Sequence, residues 1–374
     1  MKRADLVVIG GGVIGLAIAA DLARDMEHVV LFDRDYTGRE ATGAAGGMLA
    51  PLMELEFEEF ELLRLGRQSL EIFPDYVNEI EQILATDMRL VEGGTYFVAF
   101  YDRQREELER LYNYQTNIGL EVHKLSPSEL RRQQPLISDK VVCGLYIEDE
   151  KYVDNRKLAA ALQMLCRERG VELYRNDPVV NLEYGSTGEI TAVQTVQRRI
   201  RSRHLVIAAG AWSGLLPGLK PADKLPVRPV KGQAVAVGLS SDFSPRAVIQ
   251  TPDVYCVPHY PDRMILGATM EEKGFERRVR FGGVYDMLFA ASEVLPGLRD
   301  QPFLETWVGH RPATYDSKPF IGPSFQTPNL MFATGHYRNG ILMTPITVRF
   351  IRQMLLEGKT PDGAGPFLPG RLNS

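Results

Sequence analysis

Leu6-Val7-Val8-Ile9-Gly10-Gly11-Gly12-Val13-Ile14-Gly15-Leu16, with Asp33 standing 21 positions after Gly12, is the stretch on which the reading of this chain turns. Leu6 to Ile9 is a short apolar run of the kind that forms a buried parallel strand. Gly10, Gly12 and Gly15 fit GxGxxG, Leu16 to Arg24 has helical composition, and Val29-Val30-Leu31-Phe32 reads as a second strand ending at Asp33. In this order each glycine has a task. Gly10 permits a tight turn, Gly12 lets backbone approach a pyrophosphate, and Gly15 lets helix and strand pack closely. The helix start offers free N–H groups and positive dipole to phosphates, while a carboxylate ending the second strand accepts ribose hydroxyls. The alternative is a structural strand–helix turn with a solvated Asp33; strand and helix on either side of the glycines favour an adenine dinucleotide.

Outward from this unit, the composition is that of a soluble globular protein: 374 residues, 44% hydrophobic and 24% charged, which predicts two or three domains. Such a chain buries enough core to fold without disulfide or metal, so disordered, collagen-like and disulfide-scaffold classes are excluded. The 43 basic and 48 acidic residues leave a formal charge of −5, with no basic excess to meet nucleic acid. Cys143, Cys166 and Cys256 are too far apart for a CxxC motif, and their odd number fits a reducing compartment. The start superficially resembles a signal peptide, but glycines interrupt its apolar run and Asp21 and Arg24 stand where cleavage would fall. No other stretch approaches a membrane span in length. A cytoplasmic protein without membrane association is expected.

Further along, helices are expected over Gln68–Ala85, Arg103–Thr116, Arg156–Gly170 and roughly Ile341–Leu356. A β-meander is expected over 179–184, 189–198 and 203–209, and strands in 226–270 and 303–307. Mixed βαβ and antiparallel stretches predict an α/β fold: a doubly wound, Rossmann-like FAD- or NAD-binding domain interleaved with a mainly antiparallel α+β substrate domain. The expected segments are 1–87, 148–224 and 307–374 for the first domain, and 88–147 and 225–306 for the second.

FAD and NAD share the glycine turn, so the choice rests downstream. Arg39 to Leu49 is a small-residue stretch that suits either a flat ring lying against backbone or an ordinary loop. Gly335-His336-Tyr337-Arg338-Asn339-Gly340-Ile341-Leu342 follows a strand and opens the last helix, whose N-terminus would stabilise negative charge on a reduced flavin. Pro345 suits that helix's first turn.

With these stretches the chain resembles the D-amino-acid oxidase superfamily, and within it the glycine oxidase branch. The resemblance rests on Val8 to Gly15, Ala44 to Leu49, Ala208-Ala209-Gly210-Ala211-Trp212-Ser213, Trp307 to Pro312, Lys318 to Gly322 and Gly335 to Leu342, in that order along nearly the whole chain. It implies non-covalent FAD, contacted by Val13, Ile14, Asp33, Arg34, Ala41, Thr42, Gly46, Gly47, Met48, Val179, Gly210 and the run His336, Tyr337, Arg338, Asn339, Gly340, Ile341 and Leu342. On the substrate side it implies Arg311 as the carboxylate clamp, Tyr255 beside the substrate, Arg338 as a second arginine, Met270 as an apolar wall and Ala50 near the entrance. Asp33 and Ala50 depart from the glutamate and glycine familiar at those places; the second departure leaves substrate size open.

Taken alone, Arg311 reads as a salt bridge holding its strand, and Tyr255 as a core tyrosine with its hydroxyl satisfied elsewhere. The ordered motifs turn both toward substrate, since an arginine fork grips a carboxylate in a way lysine cannot. His310 and His336 are expected in structural hydrogen bonds, with no protein acid or base required. The resemblance further implies oxidative deamination of glycine, sarcosine or small D-amino acids by hydride transfer to flavin N5, with O₂ as acceptor and peroxide as product. It also implies a role in thiazole formation for thiamine, and a homotetramer. A sarcosine-oxidase-like enzyme would often tether its flavin to a late cysteine, and none follows Cys256. A D-amino-acid or 2-hydroxy-acid dehydrogenase passing electrons to a quinone, and a flavin-binding sensor or interaction module without turnover, complete the alternatives.

Overall fold

The computed structural model describes residues 2–52, 59–259 and 261–373. β1 (Arg3–Ile9) leads into α1 (Val13–Leu22), and β2 (Val29–Phe32) returns parallel to β1 with Phe32 opposite Ile9. All of α1 except Asp21 is buried; a helix apolar all round has no side to show to water and belongs inside. The small-residue stretch folds as α2 (Ala41–Ala44) and β3 (Met48–Leu49). α3 (Phe60–Leu84) begins well before the expected Gln68, because Leu62, Leu65 and Ser69 extend upstream the buried stripe of Phe73, Val77 and Ile80.

β4 (Thr95–Ala99), α4 (Asp102–Asn117), β5 (His123–Leu125), α5 (Pro127–Gln133) and β6 (Cys143–Ile147) follow. A capping box starts α5: Ser126 accepts from the Glu129 N–H, and Glu129 accepts from the Ser126 N–H at 2.8 Å. β7 (Lys151–Tyr152) pairs with β3, and α6 (Asn155–Glu168) is capped by Asp154, which accepts from the Arg156 and Lys157 N–H groups at 3.0 Å each. After β8 (Glu172–Tyr174), the expected meander is present as β9 (Val179–Tyr184), β10 (Ile190–Thr195) and β11 (Arg199–Ile207). The chain continues through β12 (Arg228–Gly238), β13 (Val248–Gln250), β14 (Tyr255–His259), β15 (Arg263–Gly267), α7 (Phe281–Val294) and β16 (Phe303–Ala313). β17 (Phe320–Pro323), β18 (Leu330–Thr334) and α8 (Thr344–Arg352) complete it.

The α/β class holds, with a Rossmann-like parallel sheet and a second, mainly antiparallel one. The first sheet has the order β17-β18-β11-β1-β2-β8, parallel from β18 to β8. α1, α3, α6 and α8 share one core on one of its faces, while β9 and β10 pack with Val7, Ile9, Val30 and Phe32 on the other. The second sheet runs β16-β12-β15-β14-β13-β4-β6-β5, antiparallel except between β13 and β4. The expected boundary between 306 and 307 falls within β16, which pairs with β12 from Phe303 to Ala313 and stays in the second sheet throughout.

One row of facing residues crosses that sheet: Phe97, Gln250, Tyr255, Gly267, Ala234 and Trp307. All of the row but Trp307 line one cavity with the carboxyl ends of β1, β2 and β11, the edge where open parallel sheets receive ligands.

Candidate active site

At the carboxyl end of β1 the chain turns with no room for side chains. Gly10 has φ +112°, and a Cβ on it would overlap the Ala208 carbonyl. A Cβ on Gly15 would overlap the Gly10 carbonyl, so helix and turn meet backbone to backbone. Gly12 caps α1 without a side chain, and Thr42 Oγ1 accepts from the Val13 N–H at 3.0 Å. Asp33 sits at the end of β2, accepting from the Gly11 N–H at 2.6 Å and the Asp35 N–H at 2.8 Å. Burial nevertheless pushes its carboxyl above the ordinary value, against those donors and Arg34. The Arg34 guanidinium lies 3.6 Å over the Trp212 ring, which stacks in turn on Phe275 at 4.7 Å. Glu40 ties this corner together: burial opposes its ionisation, but His310, Arg277 and Arg34 hold its carboxyl below the usual range.

A second set of glycines makes room for side chains at the other end. The Tyr255 ring lies where a Cβ on Gly46 would come within 2.9 Å of it, and a Cβ on Gly267 would overlap it outright. Gly47, at φ +80°, passes against the Val153 carbonyl. His259 fixes the turn by donating from Nε2 to the Gly46 carbonyl at 2.9 Å, and burial lowers its pKa, keeping it neutral. Trp307 donates from Nε1 to the Ala44 carbonyl at 3.2 Å. The Arg311 guanidinium covers Gly232, where a Cβ would overlap it, and donates from Nη1 to the Thr269 carbonyl at 3.1 Å. Among the described residues no carboxylate lies within ion-pair distance of Arg311.

These two ends belong to one cavity of about 1120 Å³ that runs from the glycine turn and Asp33 to Tyr255, Met270, Arg311 and Arg338. That exceeds the roughly 300–1,000 Å³ of an ordinary small-molecule pocket. Of the residues expected at the site, only Gly15, Ala50, Asn339 and Leu342 stand off its wall. Gly15 acts by packing, as expected of it. Ala50, expected near the entrance, is buried at 3% exposure beside Leu52, Leu63 and Phe97, of which Phe97 lines the cavity. Leu342 is likewise core, its carbonyl accepting from Ser69 Oγ at 2.6 Å, and Asn339 serves the turn through its N–H to the His336 carbonyl at 2.9 Å.

The last helix also starts later than expected. Gly335 and Tyr337 take left-handed backbone, the irregular stretch with its turns runs on to Met343, and α8 begins at Thr344 with Pro345 in its first turn. His336 is fully buried against Thr347 Oγ1 at 3.0 Å, and burial lowers its pKa to about 3. His310 donates from Nε2 to the Glu276 carbonyl at 3.1 Å. Both are structural. Met270 reaches the wall with its sulfur accepting from Tyr337 Oη at 2.9 Å. Glu40, Trp212, His259 and Gly232 also shape the site, and none of them belongs to the residues expected there from sequence. Gly232 carried a signal, a glycine inside the strand pattern Val230 to Val237, which marks close approach of another group.

The family model described as "FAD dependent oxidoreductase" matches residues 5–354. The chain belongs to that family. It is 32% identical over 366 residues to the glycine oxidase of Geobacillus kaustophilus, covering 98% of this chain and 96% of that one. The crystal structure of glycine oxidase from that organism superposes with a TM-score of 0.91 at 30% identity, covering 98% of each chain. A bifunctional protein ThiO/ThiG of Trichormus variabilis is 34% identical over 361 residues, 95% of this chain but 53% of its own length. FAD fits this oxidoreductase: the turn at Gly10, Gly11 and Gly12 carries no side chains, Gly12 gives the α1 N-terminus no side-chain cap, and one cavity of about 1120 Å³ joins that turn and Asp33 to Tyr255 and Arg311. Among the described residues no helix is long and apolar enough to cross a membrane.

Proposed function

We propose that this FAD-dependent amino-acid oxidase acts on glycine, with sarcosine and small D-amino acids as further substrates. It would yield glyoxylate or a 2-oxo acid, ammonia or an amine, and hydrogen peroxide. The observation that carries the reading is Arg311: a guanidinium on the cavity wall, half-buried, with one N–H spent on a carbonyl and no carboxylate beside it among the described residues. A cation so placed awaits an anion, and a substrate carboxylate meets its fork with two parallel hydrogen bonds.

The glycine turn and the α1 N-terminus would take the pyrophosphate of FAD, Asp33 the ribose, and Gly46 to Met48 with His336, Tyr337, Arg338, Gly340 and Ile341 the ring system. FAD, when bound, supplies the acceptor for the hydride that leaves Cα. The protein's part is placement. Arg311 would hold the carboxylate, while Tyr255, wedged between Gly46 and Gly267, would give the substrate a rigid wall. The neutral amine lends its lone pair as the Cα–H bond breaks, so no side chain need take a proton, and buried, neutral His259 and His336 are already committed to the fold. The imino product then adds water and releases ammonia.

None of the three cysteines lines the cavity, which supports a non-covalent cofactor: acid precipitation should leave the yellow colour in solution. A role in forming the thiazole part of thiamine, assembly as a homotetramer and a cytoplasmic site belong to the same reading. Oxygen uptake with glycine, sarcosine, D-alanine and D-proline tests it, with glyoxylate and peroxide in equal amounts from glycine. Turnover with an artificial acceptor but not with O₂ would replace the oxidase by a dehydrogenase.

A further inference from the structure

On the face of the second sheet turned away from Arg311, a lysine is buried completely. Lys231 on β12 exposes none of its side chain, and its Nζ lies 3.3 Å from Glu271 Oε2 and 3.1 Å from Glu276 Oε2. A buried ammonium persists only where it is paired and hydrogen-bonded. Glu271 Oε1 also accepts from Gln233 Nε2 and from Thr269 Oγ1, each at 2.7 Å, and Thr269 Oγ1 accepts from the Gln233 N–H at 2.9 Å. Gln233 Oε1 accepts from the Arg280 N–H at 2.6 Å, while Arg280 Nε donates to Glu276 Oε2 at 3.1 Å. Burial alone would raise the Glu271 carboxyl, but these donors hold it below its ordinary value; Arg280 and Lys231 draw Glu276 down to about 2. Every charge in the cluster is matched.

The cluster grips an irregular piece of backbone. Ala234 pairs with Gly267, yet Lys231 pairs with Glu271, so three steps along β12 face four along the chain leaving β15. The extra residue is a bulge, which re-aims side chains and leaves ladder bonds unmade. It brings Thr269 and Glu271 to the face of Lys231 and leaves Met270 on the cavity wall. The Thr269 carbonyl, in the same bulge, accepts from Arg311 Nη1.

We propose that Lys231 is a positioning residue: it locks the bulged 268–271 segment against β12, and through the Thr269 carbonyl sets the direction in which the Arg311 fork opens. With one N–H tied to that carbonyl the guanidinium cannot turn freely about its stem, so what moves the carbonyl moves the clamp. The inference rests on Arg311 as the substrate-carboxylate contact.

Lys231→Met in the holoenzyme tests it, with acetate as a carboxylate probe read by flavin absorbance and glycine by anaerobic flavin reduction. The Kd values for acetate and glycine should rise about 10-fold or more, with the limiting reduction rate within about 2-fold and FAD per protein unchanged. In an Arg311→Lys background the same change should add less than about 2-fold, because the two residues act through one contact. If Arg311→Lys leaves acetate and glycine binding untouched, the reading of Arg311 fails. If Arg311→Lys weakens both but Lys231→Met weakens neither, or multiplies undiminished in that background, the assignment of Lys231 fails alone. Should Lys231→Met not fold, Thr269→Val cuts the same segment from Glu271 without unpairing a charge, and should raise both Kd values roughly 3- to 10-fold; unchanged values would overturn the proposal.

Discussion

Arg311 is defined by what surrounds it: Gly232 beneath, the Thr269 carbonyl to one side, and open cavity ahead. Lysine at this position keeps the charge and loses the fork. Losing one charge-assisted hydrogen bond to the substrate costs about 1.5–3 kcal/mol, so Arg311→Lys should lower kcat/KM about 10- to 100-fold. Alanine should cost more, since it leaves a desolvated carboxylate unpaired. FAD content should stay normal in both variants, measured as flavin absorbance per protein. Variants that lose FAD or unfold, while the flavin they retain is reduced normally, would make Arg311 a structural residue. The sequence pointed to this arginine and to Tyr255 only through their place in an ordered set of motifs. What makes both usable lies elsewhere in the chain: Gly232 and Gly267 come beside them once the strands of the second sheet have paired, and Gly46 once the segment after α2 packs on that sheet. Ala50 shows the converse: it follows Gly46, Gly47 and Met48 on the cavity wall by two positions, and its side chain is buried in a core.

Among the elements, the β1–α1–β2 unit was the most legible, because its glycines answer to short-range sterics that any sequence window contains. Gly15→Ala tests that reading at an ordinary backbone angle. Its methyl would overlap the Gly10 carbonyl, so α1 must shift from the turn, and the protein should be isolated largely without flavin and with a lowered Tm. A variant that keeps full FAD content would mean that close packing here has no part in cofactor binding. α7 was missed for a different reason. Phe281, Tyr285 and Phe289 form its exposed side, so the contrast of apolar and polar faces that marks a surface helix is absent. The start of α8 was misplaced by a few residues because the turns that follow left-handed Gly335 and Tyr337 run on through Met343, and nothing at Tyr337 announces a positive φ in sequence.

Across the whole molecule, burial of histidines sets the response to acid. His204, His259 and His336 all have pKa values lowered by burial, His336 to about 3. Below the ordinary histidine value of roughly 6.5 the unfolded chain takes up protons that the folded one refuses, so stability falls as pH falls. For His336 alone the loss reaches about 2 kcal/mol by pH 5, before most carboxylates protonate. Tm should therefore drop between pH 7 and pH 5, and His336→Gln, which keeps a partner for Thr347, should flatten the drop. Equal slopes in parent and variant would place the acid sensitivity elsewhere.

The glycine turn at one end of the cavity and the arginine at the other make a single claim, that a small amino acid surrenders its Cα hydride inside this cavity. Anaerobic mixing of the holoenzyme with glycine tests it most directly, because it needs neither oxygen nor any later step. Saturable bleaching of the flavin absorbance is expected, with one glyoxylate formed per flavin. A flavin that stays yellow under saturating glycine, sarcosine and D-alanine, in protein that is folded and fully loaded with FAD, would contradict it.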